Sequence, residues 1–262
     1  MAPKSDVRPV AIIGAGTVAR TVGERLVEGA IEGLRLHGFL SRTPQAGLPG
    51  PELQGLPDLL VPGVVVVEAA SQQAVRDFAA DVLAFGADLV CVSVGVLADG
   101  GLRERLARAA TRGGARLLVP SGAVGGLDLL RAAAEAGLDE VVIEQRKPPR
   151  MLLPDIEAAG LTEARVVFDG PVSDVVAAYP KTTNLAAAVA LAGLGFERTR
   201  AVVVADPSVR ANRALLTARG AFGALSLRID NVASANPRTS AIVAYSVLAT
   251  LRRLVEPLVV PA

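Results

Sequence analysis

The sequence is poor in the side chains that most often act as nucleophiles, general bases or metal ligands. Its 262 residues include one cysteine, one histidine, two tyrosines and no tryptophan. A single cysteine excludes a disulfide within the chain, so a reducing cytoplasm is the expected compartment. Cys91 lies in an apolar run and is expected to be a small buried side chain rather than a nucleophile. His37 lies on a predicted strand and is expected to be structural.

The sequence also has no excess of charge and no long apolar run. Its 27 basic and 26 acidic residues leave a net charge of +1, which gives no attraction to nucleic acid or to an anionic membrane surface. The longest stretch without a charged or strongly polar residue, 185–196, is too short and too rich in alanine and glycine to span a bilayer. No apolar leader precedes the first predicted strand. The expected partner is therefore a small-molecule substrate, with no nucleic acid and no membrane.

The first motif with chemical content is a glycine turn near the N-terminus. An apolar run over residues 9–13 leads into Gly14-Ala15-Gly16-Thr17-Val18-Ala19, and apolar residues then recur at helical spacing. We interpret this as strand, phosphate-binding loop and helix, although an ordinary strand-turn-helix has the same pattern. Gly14 would make the tight turn, and Gly16 would let the backbone approach a pyrophosphate. Thr17 and Val18 would offer N–H groups at the helix start.

The end of the second predicted strand, 34–40, favours one nicotinamide coenzyme. Enzymes that prefer NAD usually have an acidic residue there to accept from the ribose 2′-hydroxyl, whereas this chain has Ser41 and Arg42. A hydroxyl donor and a cation suit a 2′-phosphate, so NADP is predicted and NAD stays possible. Alternatively, Arg42 stacks on the adenine or is only solvated.

Strands and helices alternate along the chain, which is rich in small apolar residues and has only 3% aromatics. This predicts an α/β fold with a parallel N-terminal sheet, while residues 48–62 are expected to be irregular. Ala70 and Ser93 fall at the carboxyl ends of predicted strands, where such sheets bind ligands. Residues 212–230 look like an antiparallel hairpin within an α+β second half, and a final helix is expected to start at 236–240.

Taken together, these segments resemble the L-aspartate dehydrogenase family. The stretches that carry the resemblance occur in order along almost the whole chain: Gly14–Gly16, Val67–Ser71, Ser93–Gly95, Pro120–Asp128, Arg146–Pro149, Phe168–Gly170, Pro180–Lys181, Asn184, Ala205–Pro207, Gly220–Gly223 and Asn236–Ser240.

The resemblance implies a Rossmann dinucleotide-binding domain and a C-terminal α+β domain resembling dihydrodipicolinate reductase. The last helix would return to the first domain, so the expected domains are 1–120 with 237–262, and 121–236 for substrate binding and dimerisation. The resemblance further implies NAD(P)-linked interconversion of L-aspartate with iminosuccinate, or with oxaloacetate and ammonia, in a homodimer. By position, Ala123 and Asn184 match family residues that contact the coenzyme.

One departure from the family is serious. The family has its catalytic histidine in an Asn-x-His pattern, and this chain has Asn212-Arg213-Ala214 at that place. The family also usually has Thr-Thr before Arg-Lys-Pro, where this chain has Glu144-Gln145, and Asn after Pro-Lys, where it has Thr182. Without a positioned base, aspartate oxidation should be slow, because general bases typically contribute about a hundredfold or more.

The leading hypothesis is therefore an oxidoreductase of the aspartate dehydrogenase type that reduces an imine or carbonyl of a small carboxylate. Lysine is scarce, and both internal lysines lie in proline-containing loops, so they are the predicted carboxylate ligands. The predicted substrate residues, with two candidate proton donors last, are Lys147, Lys181, Asn236, Thr239, Tyr179 and Asp206. Two alternatives stay open: a nicotinamide-nucleotide-binding protein that has lost catalysis, and an imine reductase or dehydrogenase of a specialised pathway. Whether Arg213 enters the vacated position is open as well.

Overall fold

The computed structural model describes residues 7–180, 183–236 and 239–260, and these residues pack into two compact units. The first unit comprises the chain up to Pro120 together with the segment from Ala244 onward, and the second comprises Ser121–Val243.

The secondary structure of the described residues alternates in the first unit and is mixed in the second. The strands are β1 (Arg8–Ile13), β2 (Leu34–Leu40), β3 (Glu52–Leu53), β4 (Val65–Glu68), β5 (Asp88–Cys91), β6 (Leu117–Leu118), β7 (Leu138–Lys147), β8 (Arg165–Pro171), β9 (Arg200–Ala205), β10 (Arg213–Gly220) and β11 (Gly223–Asp230). The α-helices are α1 (Thr17–Val27), α2 (Leu56–Leu59), α3 (Gln72–Phe85), α4 (Gly100–Gly113), α5 (Leu127–Ala136), α6 (Asp155–Gly160), α7 (Val172–Ala178), α8 (Asn184–Ala192) and α9 (Ile242–Arg252). Short 3₁₀ turns cover Val94–Ala98 and Pro149–Met151.

The sheet of the first unit has the strand order β3-β2-β1-β4-β5-β6, with parallel pairing throughout the described strands. The chain winds outward from β1 in one direction and from β4 in the other. The gap between the carboxyl ends of β1 and β4 is thus the topological switch point, where open α/β sheets bind ligands.

The core of the first unit is made of small and branched apolar side chains. Val10, Ile12 and Val65 are fully buried, as the continuous apolar runs of these parallel strands require. A Cβ atom at Gly23 would lie 2.4 Å from Cζ of Phe39, so the glycine lets α1 pack closely against β2. The apolar face of α9 joins the same core through Ala244, Val247, Leu248 and Leu251.

The sheet of the second unit has the order β11-β10-β7-β9-β8. Its β7 and β9 are parallel, and the other pairs are antiparallel. On the central strand β7, burial alternates so that one face carries Val141, Ile143, Gln145 and Lys147. The alternation therefore places two polar side chains at the carboxyl end of an otherwise apolar face.

The predicted fold class is confirmed, and the strands expected at 34–40 and 200–205 have those bounds. The prediction that 48–62 is irregular is wrong in part, because β3 adds an edge to β2 and α2 follows it. The last helix begins at Ile242 rather than at 236–240. There Ser234 N donates to Thr239 O at 2.8 Å and Thr239 N donates to Asn236 O at 2.9 Å, which makes a turn instead of a helical start.

Candidate active site

The glycine turn after β1 has the geometry that a dinucleotide pyrophosphate needs. Gly14 has φ +117°, and a Cβ atom there would lie 2.7 Å from the carbonyl oxygen of Ala69. At Gly16 a Cβ would meet nothing within 4 Å, so the backbone is open on that side. The N-cap residue of α1, Gly16, makes no side-chain cap, and the first-turn N–H groups, including those of Thr17 and Val18, have no acceptor within the helix. The residues present therefore fit an anionic pyrophosphate.

Arg20 fixes this turn to the loop that follows β2. Its Nε donates to the carbonyl oxygen of Ala15 at 3.0 Å, Nη1 to that of Gly47 at 2.6 Å and Nη2 to that of Ala46 at 3.1 Å. All three nitrogens of the guanidinium thus donate hydrogen bonds to backbone carbonyl groups. These bonds connect the loop over 41–48 to the glycine turn. The sequence pattern does not single out Arg20, because an arginine in an amphipathic helix ordinarily indicates a solvated face.

The two residues predicted to select the coenzyme differ in their surroundings. The Ser41 hydroxyl donates to the carbonyl oxygen of Thr43 at 2.7 Å and so closes its own loop. Arg42 is exposed at the tip. Of the two, Arg42 is the side chain available to a bound phosphate, and its role stays a prediction.

A buried carboxylate joins the carboxyl ends of β4 and β5. Glu68 is 1% exposed and accepts from the N–H groups of Ala70 and Ser71, each at 2.9 Å. It also accepts from Ser93, through N–H at 3.0 Å and through the hydroxyl at 2.9 Å. Burial raises the pKa of Glu68, and the hydrogen bonds from Ser93, Ala70 and Ser71 oppose that rise.

Glu68 therefore orders the two loops that contain the predicted coenzyme residues Ala70 and Ser93. The signal for this in the sequence is an acidic residue that directly ends the apolar run 64–67. Cys91, on the neighbouring strand, is buried beside this carboxylate, and burial raises the pKa of its thiol, in agreement with the inert role expected for it.

In the second unit, Lys147 is the last residue of β7 and is 4% exposed. Burial lowers the pKa of its ammonium group to about 8. The ammonium group is therefore largely protonated at neutral pH yet desolvated, which strengthens its attraction for an anion. Its role as a ligand of a substrate carboxylate stays a prediction.

The position for which the family resemblance implies a histidine lies on the same face of the sheet. Ala214 of β10 stands directly opposite Gln145 of β7 in the antiparallel ladder, and both are buried. Gln145 precedes Lys147 by two residues, so their side chains project from the same face. Arg213 does not occupy the vacated position, because its neighbouring place in the strand turns it to the other face, where it pairs with Asp230.

The structure argues against Asp206 as a proton donor. Its carboxylate accepts from Nη1 of Arg146 at 3.1 Å and from the N–H and hydroxyl of Ser208 at 2.8 and 2.6 Å. These bonds, led by that from Ser208, lower the pKa of Asp206, so it is ionised at neutral pH. Asp206 instead holds Arg146, which also pairs with Glu144 at 2.6 Å.

Tyr179 follows α7, where its hydroxyl donates to the carbonyl oxygen of Val167 at 3.5 Å and its ring packs edge-on against Phe168, 6.4 Å between centroids. The structure therefore shows Tyr179 in a packing contact with Phe168, and its role as a proton donor stays a prediction. Asn184 is the first residue of α8.

The other predicted residues lie in loops of the second unit. Asn236 and Thr239 are brought together by the backbone bond of their shared turn. The carbonyl of Ala123 accepts from Nδ2 of Asn231 at 3.3 Å, and Asn231 N donates to the carbonyl of Asn212 at 3.1 Å. The loop around Ala123 is thus tied to the strand end that leads to Ala214. Lys181 lies outside the described residues.

Two negative findings apply to the described ranges 7–180, 183–236 and 239–260. No group of three or more His, Cys, Asp or Glu side chains there is placed to hold a metal ion. No helix there combines the length and the apolarity that a membrane crossing requires.

Comparison with known proteins gives two family matches. Residues 128–254 match the family described as aspartate dehydrogenase, C-terminal, and residues 14–120 match the homoserine dehydrogenase NAD-binding domain. The chain is 42% identical to L-aspartate dehydrogenase 2 of Bordetella pertussis, over 93% of this chain and 96% of that protein. It is 34% identical to L-aspartate dehydrogenase of Methanocella arvoryzae, over 95% and 97%. The crystal structure of aspartate dehydrogenase from Thermotoga maritima aligns with a TM-score of 0.81 and 30% identity, covering 97% of this chain and 99% of that one.

Proposed function

The chain belongs to the aspartate dehydrogenase family, and from that membership we propose that it uses NADP(H) to reduce the imine or carbonyl of a small carboxylate. Iminosuccinate, formed from oxaloacetate and ammonia, is the proposed substrate. The nicotinamide-binding domain and the oxidoreductase class follow from the family. The substrate, the coenzyme preference and the direction of reaction are the proposal, and the homodimer and the cytoplasmic location stay predictions.

The observation that carries the direction is Ala214 at the place of the family's histidine. Oxidation of an amine requires removal of a proton from the substrate nitrogen, and a methyl side chain cannot accept one. The one histidine of the chain, His37, lies on β2, where its Nε2 is 2.8 Å from the carbonyl oxygen of Asp58. Reduction of a preformed imine passes through the same transition state and is also slowed, but its nitrogen takes up a proton that water can supply, so this direction can proceed without a positioned side chain.

The protein's own residues would bind and orient the reactants. Gly14, Gly16 and the start of α1 would hold the pyrophosphate, with Glu68 ordering the adjoining loops. When bound in its reduced form, the nicotinamide supplies the hydride. Lys147 would hold a substrate carboxylate, and its desolvated ammonium would bind an anion more strongly than an exposed lysine does.

The test is turnover of NADPH or NADH with oxaloacetate, with and without ammonium, and with analysis of the amino acid formed. We expect NADPH to be consumed faster when ammonium is present and L-aspartate to be the product. Oxidation of L-aspartate should be at least about a hundredfold slower than in a relative with the histidine. Tight binding of NADPH without turnover of any imino or keto acid would instead identify a nucleotide-binding protein that has lost catalysis.

A further inference from the structure

Two of the chain's departures from its family meet at one point of the second sheet. Ala214 replaces the family's histidine, and Gln145 stands where the family usually has threonine. These two residues are cross-strand partners on β10 and β7. Side chains directly opposite in an antiparallel ladder have Cβ atoms about 5 Å apart and share the same space. A smaller residue on one strand and a larger one on the other is the pattern of a compensated exchange.

The buried amide of Gln145 is expected to destabilise the fold. Its side chain is 1% exposed, and among the described residues its Nε2 has no hydrogen-bond partner. The buried Oδ1 of Asn212 also lacks a partner there. Asn212 continues the ladder two residues before Ala214, since its carbonyl accepts from Asn231 N. Unpaired buried amides are destabilising, so native proteins usually retain them for a reason other than stability.

We propose that the Gln145 side chain occupies the space of the family's histidine and that its Nε2 donates a hydrogen bond to a carboxylate oxygen of the substrate. The proposal rests on the proposed function, since it names a group that binds the same small acid. Lys147 lies two residues further on the same face, about 7 Å along the strand, so an ammonium and an amide donor approach one bound acid together. The amide binds and orients the acid but accepts no proton.

The first experiment is a double-mutant cycle with Gln145→Thr, Ala214→His and the combined variant. In the wild-type background, Ala214→His places two large side chains in one buried space. We expect its Tm to fall by about 5 °C and its oxidation of L-aspartate to stay low. The combined variant, with the family's pair of residues, should recover the wild-type Tm. Its aspartate oxidation should rise at least about a hundredfold and should increase with pH as the histidine loses its proton.

The cycle would overturn the proposal if Ala214→His alone were as stable as the wild type. Gln145 would then not occupy the histidine's space. Because Tm needs no turnover, this outcome is distinct from a failure of the proposed function.

The second experiment tests the hydrogen bond itself with Gln145→Leu, which has a similar volume and no donor. Binding of succinate to the NADP⁺-saturated protein is measured by calorimetry, alongside Tm. We expect succinate to bind about tenfold more weakly while Tm stays equal or rises, because an unpaired polar group has been removed. If Gln145 had only a structural role, the substitution would lower Tm and leave the affinity for succinate unchanged.

Unchanged succinate affinity in Gln145→Leu would overturn the proposal, as would a wild-type protein that does not bind succinate. A wild type that binds succinate but reduces no imine would refute the proposed function alone, and the Gln145 comparison would still be decisive.

Discussion

Glu68 and Ser93 are joined by two hydrogen bonds, one from the serine N–H to Oε2 at 3.0 Å and one from its hydroxyl to Oε1 at 2.9 Å. Through these bonds a single buried carboxylate holds the end of β4 against the end of β5, at the carboxyl edge of the parallel sheet. The described hydrogen-bond partners of the Glu68 carboxylate are all donors, so this position requires an acceptor.

Glu68→Gln should disturb this arrangement, because one carboxylate oxygen becomes an NH₂ group facing donors. We expect a loss of about 2 kcal/mol in the free energy of unfolding and at least tenfold weaker binding of NADPH. Denaturant melts and calorimetry measure the two effects. Ser93→Ala is the matched control, since it removes only the hydroxyl bond and keeps the N–H, and it should cost about 1 kcal/mol. Equal behaviour of the two variants would contradict the role given to the carboxylate.

Arg20→Lys should release the loop over 41–48 from the glycine turn. Lysine keeps the charge but cannot hold three carbonyl groups in the planar arrangement of a guanidinium. We expect faster amide hydrogen exchange and faster tryptic cleavage at Arg42, together with about tenfold weaker NADPH binding. Arg25→Lys, on the same helix, is the control, because Arg25 pairs with the exposed Glu28 of its own helix end. If the amide hydrogens of this loop exchanged equally slowly in both variants, Arg20 would not be what holds the loop in place.

Arg42→Ala tests the predicted preference for NADP. If the guanidinium binds the 2′-phosphate, the Kd for NADPH should rise about ten- to a hundredfold while the Kd for NADH changes little, since that coenzyme lacks the phosphate. Fluorescence titration with both coenzymes gives the ratio. The exposed Arg35 on β2 provides a control substitution. A parallel loss of affinity for both coenzymes would indicate that Arg42 stacks on the adenine.

Lys147 should give the enzyme a pH dependence with a defined sign. The ammonium form holds the substrate carboxylate, so kcat/KM for reduction should fall as pH rises above about 8, the pKa of the buried lysine. Lys147→Arg stays charged throughout this range and should show no such fall at that pH, although its KM will differ. An identical fall in both proteins would mean that another group titrates.

The same pKa predicts how stability changes with pH. Between about 8 and the ordinary value of 10.5, the unfolded chain binds the proton of Lys147 more readily than the folded chain does. The free energy of unfolding should therefore rise with pH across this window, relative to Lys147→Met. Below pH 8 the full cost of burying the charge applies, so the stability of the wild type relative to the methionine variant should be lowest there and should increase by about 3 kcal/mol up to pH 10.5. Urea melts of both proteins at pH 7 and pH 10 measure this difference.

The sequence by itself determined the local elements and the first half of the site. The apolar run, the glycine spacing and the helical pattern of residues 9–26 specify strand, turn and helix, because each depends on neighbours in the chain. The positive φ of Gly14 and the open side of Gly16 agree with that local chemistry. The order of motifs along the chain also identified the family, since it needs no knowledge of which strands pair.

Only the tertiary structure decided which distant residues share a surface. Strand register places Gln145 opposite Ala214. Strand pairing brings Ser93 to donate hydrogen bonds to Glu68, and loop closure brings the carbonyl groups of Ala46 and Gly47 to Arg20. These contacts join residues that are remote in sequence, and their partners are backbone groups or side chains with no local pattern. A shift of one residue in the β7–β10 register would turn Gln145 and Lys147 to the opposite face. The packing of the whole sheet, rather than any single segment, therefore places the polar groups of the candidate site.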